Sequence, residues 1–406
     1  MTAMTQRQAI SVFLVFASAY FISTLIRAIT ATLAPTLVAE FALNARDLGL
    51  LAGGYFFGFA LTQLPLGTWL DRLGPKRVIL AFLSIAVVGA FAFSQATSFT
   101  GLLAARVLCG VGVSACLMAP LTGYRRWFAP ANLMRANSWM LMVGAMGMVA
   151  STLPVQWALA VVGWRALFMG LGVMVVVAMA LIYWQVPEWH AAQPTAVGSS
   201  EAPGYGEIWR NPYFRRMVPL GFFNYGGMVA MQTLWAAPWM VKVNGYSPAQ
   251  AAGGLFLINI CMLVAFLAWG SLNPALARKG YTTERLVALG VPVTLLLFAI
   301  IVIAGDVISA GASVLFVMYC VSSTVGAQIQ PAVGMAFPSV LAGRALSAFN
   351  LVIFAGVFSV QWGVGLLIDA FRATGWQEVS AYQGALGVYG LCCVGAYVYF
   401  LAAKKP

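Results

Sequence analysis

The sequence is a succession of apolar runs separated by short polar stretches, and each run is long enough to cross a bilayer. A hydrocarbon core about 30 Å thick takes roughly 20 residues of helix. Inside lipid every backbone polar group must be bonded within the segment or a closed barrel, so runs of this length read as helices. They lie near 9–33, 47–68, 77–96, 99–120, 135–158, 164–185, 214–240, 248–272, 285–305, 309–332, 344–367 and 382–403. Composition agrees, at 62% hydrophobic and 8% charged, where soluble domains carry about 25% charge. The expected fold is an all-α integral membrane protein with twelve transmembrane helices.

The net charge of +12 would suggest nucleic acid in a soluble chain, but here its placement reports topology. With both termini in the cytosol, Arg7, Arg72, Lys76, Arg77, Arg125, Arg126, Arg135, Arg210, Arg215, Arg216, Arg278, Lys279, Arg285, Arg344, Lys404 and Lys405 fall inside. Only Arg46, Arg165, Lys242 and Arg372 fall outside, the asymmetry of the positive-inside rule. Nucleic acid is therefore not an expected partner, and the bilayer is. Arg7 followed by an apolar stretch and Ala17-Ser18-Ala19 imitates a signal peptide; the run continues to Leu33 and is read as the first span. Cys109, Cys116, Cys261, Cys320, Cys392 and Cys393 lie in apolar runs without C-x-x-C spacing or a histidine neighbour. They read as packing residues, so neither a metal nor a cofactor is expected.

Polar sequence from Pro187 to Pro212 divides the chain. Residues 1–186 form an expected N-terminal six-helix bundle, 187–213 a cytosolic linker, and 214–406 a C-terminal six-helix bundle. A shift of 203 residues lays Ala34-Pro35 over Ala237-Pro238 and brings Asn44-Ala45-Arg46-Asp47 near Ser247-Pro248-Ala249-Gln250. Both four-residue segments read as helix starts, each with a capping residue and an acid or amide three positions on. Two pseudo-symmetric six-helix repeats are an architecture of transporters.

Gly67-Thr68-Trp69-Leu70-Asp71-Arg72-Leu73-Gly74-Pro75-Lys76-Arg77, between spans 2 and 3, resembles the loop signature of the major facilitator superfamily. Pro75 stands where that family usually has a basic residue, while Lys76 and Arg77 keep the positive cluster. The resemblance implies a gating motif of Gly67, Asp71, Arg72, Gly74, Lys76 and Arg77, with the aspartate stabilising one facing of an alternating-access cycle. Arg106-Val107-Leu108-Cys109-Gly110-Val111-Gly112 is similar to the family's R-x-x-x-G-x-G segment. There Arg106 would join an interhelical network, while Gly110 and Gly112 admit neighbouring helices. Gly163-Trp164-Arg165 also resembles the family, whereas the second-half loop keeps Asn273-Pro274 and Arg278-Lys279 without an aspartate.

Arg27 is the residue that points furthest toward function. Charge within a membrane span is costly and commonly marks a solute pathway, and the runs hold no carboxylate beyond Asp47 at the very start of the second. At helical spacing Tyr20, Ser23, Thr24 and Arg27 share one face, which makes Arg27, Thr24 and Tyr20 candidate substrate contacts. A guanidinium holds carboxylate or phosphate through two parallel hydrogen bonds. The other reading of Arg27 is an arginine bonded to backbone carbonyls or reaching toward an interface. Arg27 to Pro35, followed by Gln63-Leu64-Pro65, is similar to the organic anion:cation symporter branch, where an arginine eight residues before Ala-Pro binds the substrate's acid. The chain departs from that branch at Val113, where a glutamate is frequent.

The acids Glu40, Asp47, Asp71, Glu188, Glu201, Glu207, Glu284, Asp306, Asp369 and Glu378 all fall in or beside expected loops, and His190 lies in the linker. Proton coupling by a membrane carboxylate is thus not expected. Tyr55, Phe59 and Trp139 are candidate cavity walls. Asn224, Gln232, Trp235, Tyr319, Gln328 and Asn350 are candidate polar contacts from the second half. The expected activity is secondary active or facilitative transport of a small organic anion, by a monomer in a bacterial-type inner membrane. Export of amphipathic metabolites or drugs is the alternative, although span 5 carries Gly144, Gly147 and Pro154 without the Gly-Pro-x-x-Gly-Gly pattern of drug antiporters. A transporter-derived sensor is a further one. An enzyme would need a nucleophile, base or metal cluster that these residues do not supply.

Overall fold

The computed structural model describes residues 4–128, 130–188, 205–305, 307–308 and 311–403. Most of the expected linker, with His190 and Glu201, lies outside the described residues, as do Asp306, Lys404 and Lys405. The described chain is helical without strands: α1 Gln6–Phe41, α2 Ala45–Leu61, α3 Gln63–Leu73, α4 Pro75–Gln95, α5 Phe99–Val113, α6 Met118–Trp127, α7 Pro130–Ala150, α8 Leu153–Gln185, α9 Tyr205–Arg210, α10 Pro212–Pro219, α11 Gly226–Ala230, α12 Ala236–Lys242, α13 Pro248–Arg278, α14 Thr283–Ala304, α15 Ala312–Ser323, α16 Ile329–Met335, α17 Ser339–Ala373 and α18 Glu378–Ala402. Among the described residues nine helical stretches are long and apolar enough to span a membrane, and α2 with α3, bent by 45°, makes a tenth.

The remaining two of the twelve expected spans are interrupted helices. The fifth is α7 continued by the first turns of α8, which breaks at Gly163, where φ is +73°. That left-handed conformation strains any residue with a Cβ. The seventh runs from α10 to α12 through two π-helical stretches, Leu220–Tyr225 and Met231–Trp235. Such stretches concentrate at functional sites.

By contact the chain groups into two compact units, residues 1–29 with 57–202 and residues 30–56 with 203–406. The end of α1 and the start of α2 therefore pack with second-half sequence. In the first unit, α4 and α5 cross closely because small residues face each other. A Cβ on Gly112 would stand 2.2 Å from the Ala86 nitrogen, and one on Gly89 would stand 2.7 Å from the Cys109 nitrogen. Water drives no such contact between helices in lipid; close packing does. Phe93 stacks on Phe168 with ring centroids 4.1 Å apart, tying α4 to α8.

The second unit is built around Phe214, Leu220, Val291, Ile329, Phe349 and their neighbours. Its helix starts are capped as the sequence suggests. The Asn44 side chain accepts from the Asp47 N–H at 2.8 Å, and Ser247 with Gln250 completes a reciprocal capping box. Asp369 of α17 accepts from the Ala45 and Arg46 N–H groups at 3.2 and 2.8 Å, so α2 begins on a carboxylate. Charge of that sign is favourable at a helix N-terminus. Below it α2 lies tight on α17, with a Cβ on Gly49 falling 2.3 Å from the Gln361 carbonyl oxygen.

Candidate functional site

Within the first unit, Arg27 occupies the accessible point of an otherwise buried stretch of α1. From Ile22 to Ala34 every residue is buried except Arg27, which is partly open. Its guanidinium carbon lies 5.2 Å from the Phe59 ring centroid, the range of a cation–π contact. It is also within electrostatic reach of the Cys116 thiol, which Ser23 hydrogen-bonds. The segment Ser114–Leu117, between α5 and α6, is a tightened turn: Cys116 N–H donates to the Val113 carbonyl at 3.1 Å. Arg27 thus faces the point where span 4 is least regular.

Tyr20 and Thr24, expected as substrate contacts, are engaged with α7. Both are buried, and a Cβ on Gly144 would stand 2.3 Å from the Tyr20 ring while one on Gly147 would stand 2.1 Å from Thr24 Oγ1. Thr24 donates to the Phe21 carbonyl at 3.0 Å. These two residues set the distance between α1 and α7, one and two turns before Arg27. Arg106 is wholly buried and its Nη1 donates to the Ile26 carbonyl at 3.0 Å. The peptide next to Arg27 is therefore held from α5. Trp139 is not brought to Arg27; it lines a separate cavity with Phe13, Trp127 and Arg135 near the start of α1.

The loop signature sits at the end of α3. Asp71 and Arg72 are exposed, and among the described residues neither makes an ion pair. Gly74 has φ +80° and joins α3 to α4 in a turn that favours glycine. Gly67 has open space on its Cβ side. Lys76 is buried, pairs with Glu188 at 2.9 Å and lies 5.2 Å from the Tyr183 ring; Arg77 reaches the same carboxylate at 3.9 Å. Glu188 follows the end of span 6, a partner that sequence reasoning placed in a loop without pairing it.

In the second unit, most of the expected polar contacts are engaged with other groups of the same unit. Gln232 Nε2 donates to Asn259 Oδ1 at 2.8 Å, Asn273 Nδ2 to Gln328 Oε1 at 2.8 Å, and Gln330 Nε2 to Asn350 Oδ1. Trp235 Nε1 donates to the Gln361 carbonyl at 3.2 Å, and the Tyr319 and Tyr389 hydroxyls are 3.5 Å apart. Asn224, in the first π-helical stretch, keeps a buried Oδ1 without a partner among the described residues. Tyr55 is fully buried and packs edge-on against Phe56. A cavity of about 420 Å³ lies between the ends of α1, α12 and α17 and the starts of α2, α13 and α18. Ala34-Pro35 and Ala237-Pro238, the matched pair of the internal repeat, both line it.

Among relatives, the "Probable sulfoacetate transporter SauU" of Cupriavidus necator is 24% identical over 277 residues, 64% of this chain and 63% of that protein. The "4-hydroxybenzoate transporter PcaK" of Acinetobacter baylyi is 23% identical over 309 residues, 66% of this chain and 65% of that protein. The matches thus span under two thirds of those relatives' lengths. A bacterial homolog of the human lysosomal transporter Spinster, solved inward-facing and unoccupied, shares the fold with a TM-score of 0.77 at 16% identity, covering 98% of both chains. The α3–α4 loop signature falls within a match to the Major Facilitator Superfamily over residues 16–360, and the chain belongs to that family.

Proposed function

We propose that this multi-pass membrane protein is a secondary active or facilitative carrier that moves a small organic anion by alternating access, with the acid held by Arg27. The observation that carries the reading is an arginine, itself partly exposed, in a stretch of helix whose neighbouring positions are buried. Phe59 beside it supplies an apolar wall, and the Arg106 bond to the Ile26 carbonyl fixes the backbone that presents it. A positive charge so placed favours anions, and a planar fork favours carboxylate, sulfonate or phosphate over halide. Relatives named for sulfoacetate and 4-hydroxybenzoate transport support that substrate class. The two bundles of residues 1–186 and 214–406 would be the moving bodies, with Asp71 and Arg72 contributing to the gate between facings.

A thermal-shift screen of the purified protein tests the reading, because a ligand of the native state raises its apparent stability by RT ln(1 + [L]/Kd). Small aliphatic carboxylates and sulfonates are expected to stabilise the protein and Arg27→Ala to abolish the effect. Charge-assisted hydrogen bonds are worth about 1.5–3 kcal/mol each, so loss of even one weakens binding about tenfold or more. Wild-type stabilisation in Arg27→Ala would end the anion assignment and favour the exporter reading.

A further inference from the structure

The cavity that takes Trp139 is a groove of about 470 Å³ at the start of the first unit's α1. Its walls are Ile10 and Phe13 of α1, Trp127 and Phe128 at the end of α6, and Trp139 of α7. Trp127 is 7% exposed and stacks on Phe16 with planes 11° apart, whereas Ile10 and Trp139 are each 52% exposed. One wall is therefore rigid and the other open to an entering molecule. Arg135 supplies the charge. It lines the groove, its Nη2 donates to Asn132 Oδ1 at 3.2 Å, and among the described residues it makes no ion pair. Among the described residues no acidic side chain lines the groove. A lone guanidinium oriented by an amide beside four aromatic rings fits a flat, apolar body with one acidic group.

The groove is in register with Arg27. Phe13, Tyr20 and Arg27 are seven residues apart in turn, and on a helix that spacing drifts only about 20° per step. All three therefore lie along one face of α1, with Phe13 about 21 Å from Arg27 at 1.5 Å per residue. Tyr20, midway, is 6% exposed and wedged against α7 at Gly144. We propose that the groove is a second anion station, taking a small aromatic carboxylate on Arg135 and the surrounding rings, with Tyr20 separating it from the station at Arg27. The two-station arrangement rests on the proposed role of Arg27; the groove's own chemistry does not.

Equilibrium dialysis of the full-length purified protein against radiolabelled benzoate separates the two claims. Wild type is expected to bind two benzoates per chain, and Arg27→Ala and Arg135→Gln one each. Quenching of tryptophan emission by 4-nitrobenzoate should survive in Arg27→Ala and fall in both Arg135→Gln and Trp139→Phe. Arg135→Lys, which keeps the charge, guards against misfolding and should retain part of the second site. Two benzoates in Arg27→Ala with one in Arg135→Gln would sink the Arg27 assignment and leave the groove standing. Unchanged binding in Arg135→Gln, or displacement of benzoate by phosphatidylglycerol as the tighter occupant, would each overturn the proposal, whereas a single benzoate in wild type that Arg27→Ala keeps and Arg135→Gln loses would sink the Arg27 assignment alone.

Discussion

Gly147→Ala tests how closely α1 must approach α7 for Arg27 to be presented. A methyl group there would stand 2.1 Å from Thr24 Oγ1 and 2.4 Å from the Phe21 carbonyl oxygen, against 3.4 Å for ordinary contact. Thr24 could rotate away, but the Phe21 carbonyl belongs to the backbone, so α1 must withdraw by about 1 Å over the turns that lead to Arg27. Overpacking of this kind costs roughly 1–3 kcal/mol. Gly170→Ala is the control, since nothing lies within 4 Å of its Cβ position. A helical Gly→Ala change in open space stabilises by roughly 0.5–1 kcal/mol. Thermal unfolding of the purified variants should therefore move in opposite directions, and anion affinity should drop in Gly147→Ala alone. Equal stability of Gly147→Ala and wild type, with affinity unchanged, would mean that the α1–α7 approach does not govern the site.

Arg27→Lys should recover little of the binding lost in Arg27→Ala, because a point charge cannot reproduce two parallel hydrogen bonds; dialysis against an organic acid measures it, and near-wild-type affinity would refute the fork. Asp71→Asn should leave insertion intact and slow exchange between facings, read by cysteine accessibility at both mouths, and unchanged accessibility with unchanged transport would deny it a gating role. Asp369→Ala removes the carboxylate at the start of α2, where loss of a cap costs about 0.5–2 kcal/mol. Hydrogen exchange at Ala45 and Arg46 should rise, and protection equal to wild type would show another group capping that end. A cysteine introduced at Ser199 should resist an impermeant reagent added outside intact cells, and rapid labelling would reverse the assigned topology.

The fold was legible because a span is a local property: twenty apolar residues can satisfy their backbone bonds only as helix, and turn residues mark the ends. Asn44 and Ser247 were legible as caps for the same reason, since a cap is decided within four residues. Arg27 stands out in the sequence because a single charge breaks an apolar pattern. The surroundings of Tyr20, Thr24 and Trp139 are not legible there, because period tells which residues share a helix face and not what that face meets. On one such face Phe13 borders a groove, Tyr20 touches a glycine and Arg27 is partly open. The pairing of Lys76 with Glu188 joins residues far apart in sequence and carries no local signal. Nor do the π-helical stretches, since lengthening a turn by one residue leaves composition untouched.

Those two stretches give the seventh span a mechanical property that an unbroken α-helix lacks. Each closes its turns one residue late, and one residue corresponds to about 100° of rotation about the axis at 3.6 residues per turn. If Leu220–Tyr225 rewound as α-helix while α10 stayed anchored by Phe214 and Met217, everything beyond would swivel by roughly that angle with no loss of helical continuity. Rewinding Met231–Trp235 instead would turn α12 and leave Asn224 where it is. Span 7 can thus redirect its side chains segment by segment, as a shaft with two slip joints, while its ends stay at the same depth in the bilayer to within about one residue's rise of 1.5 Å per joint.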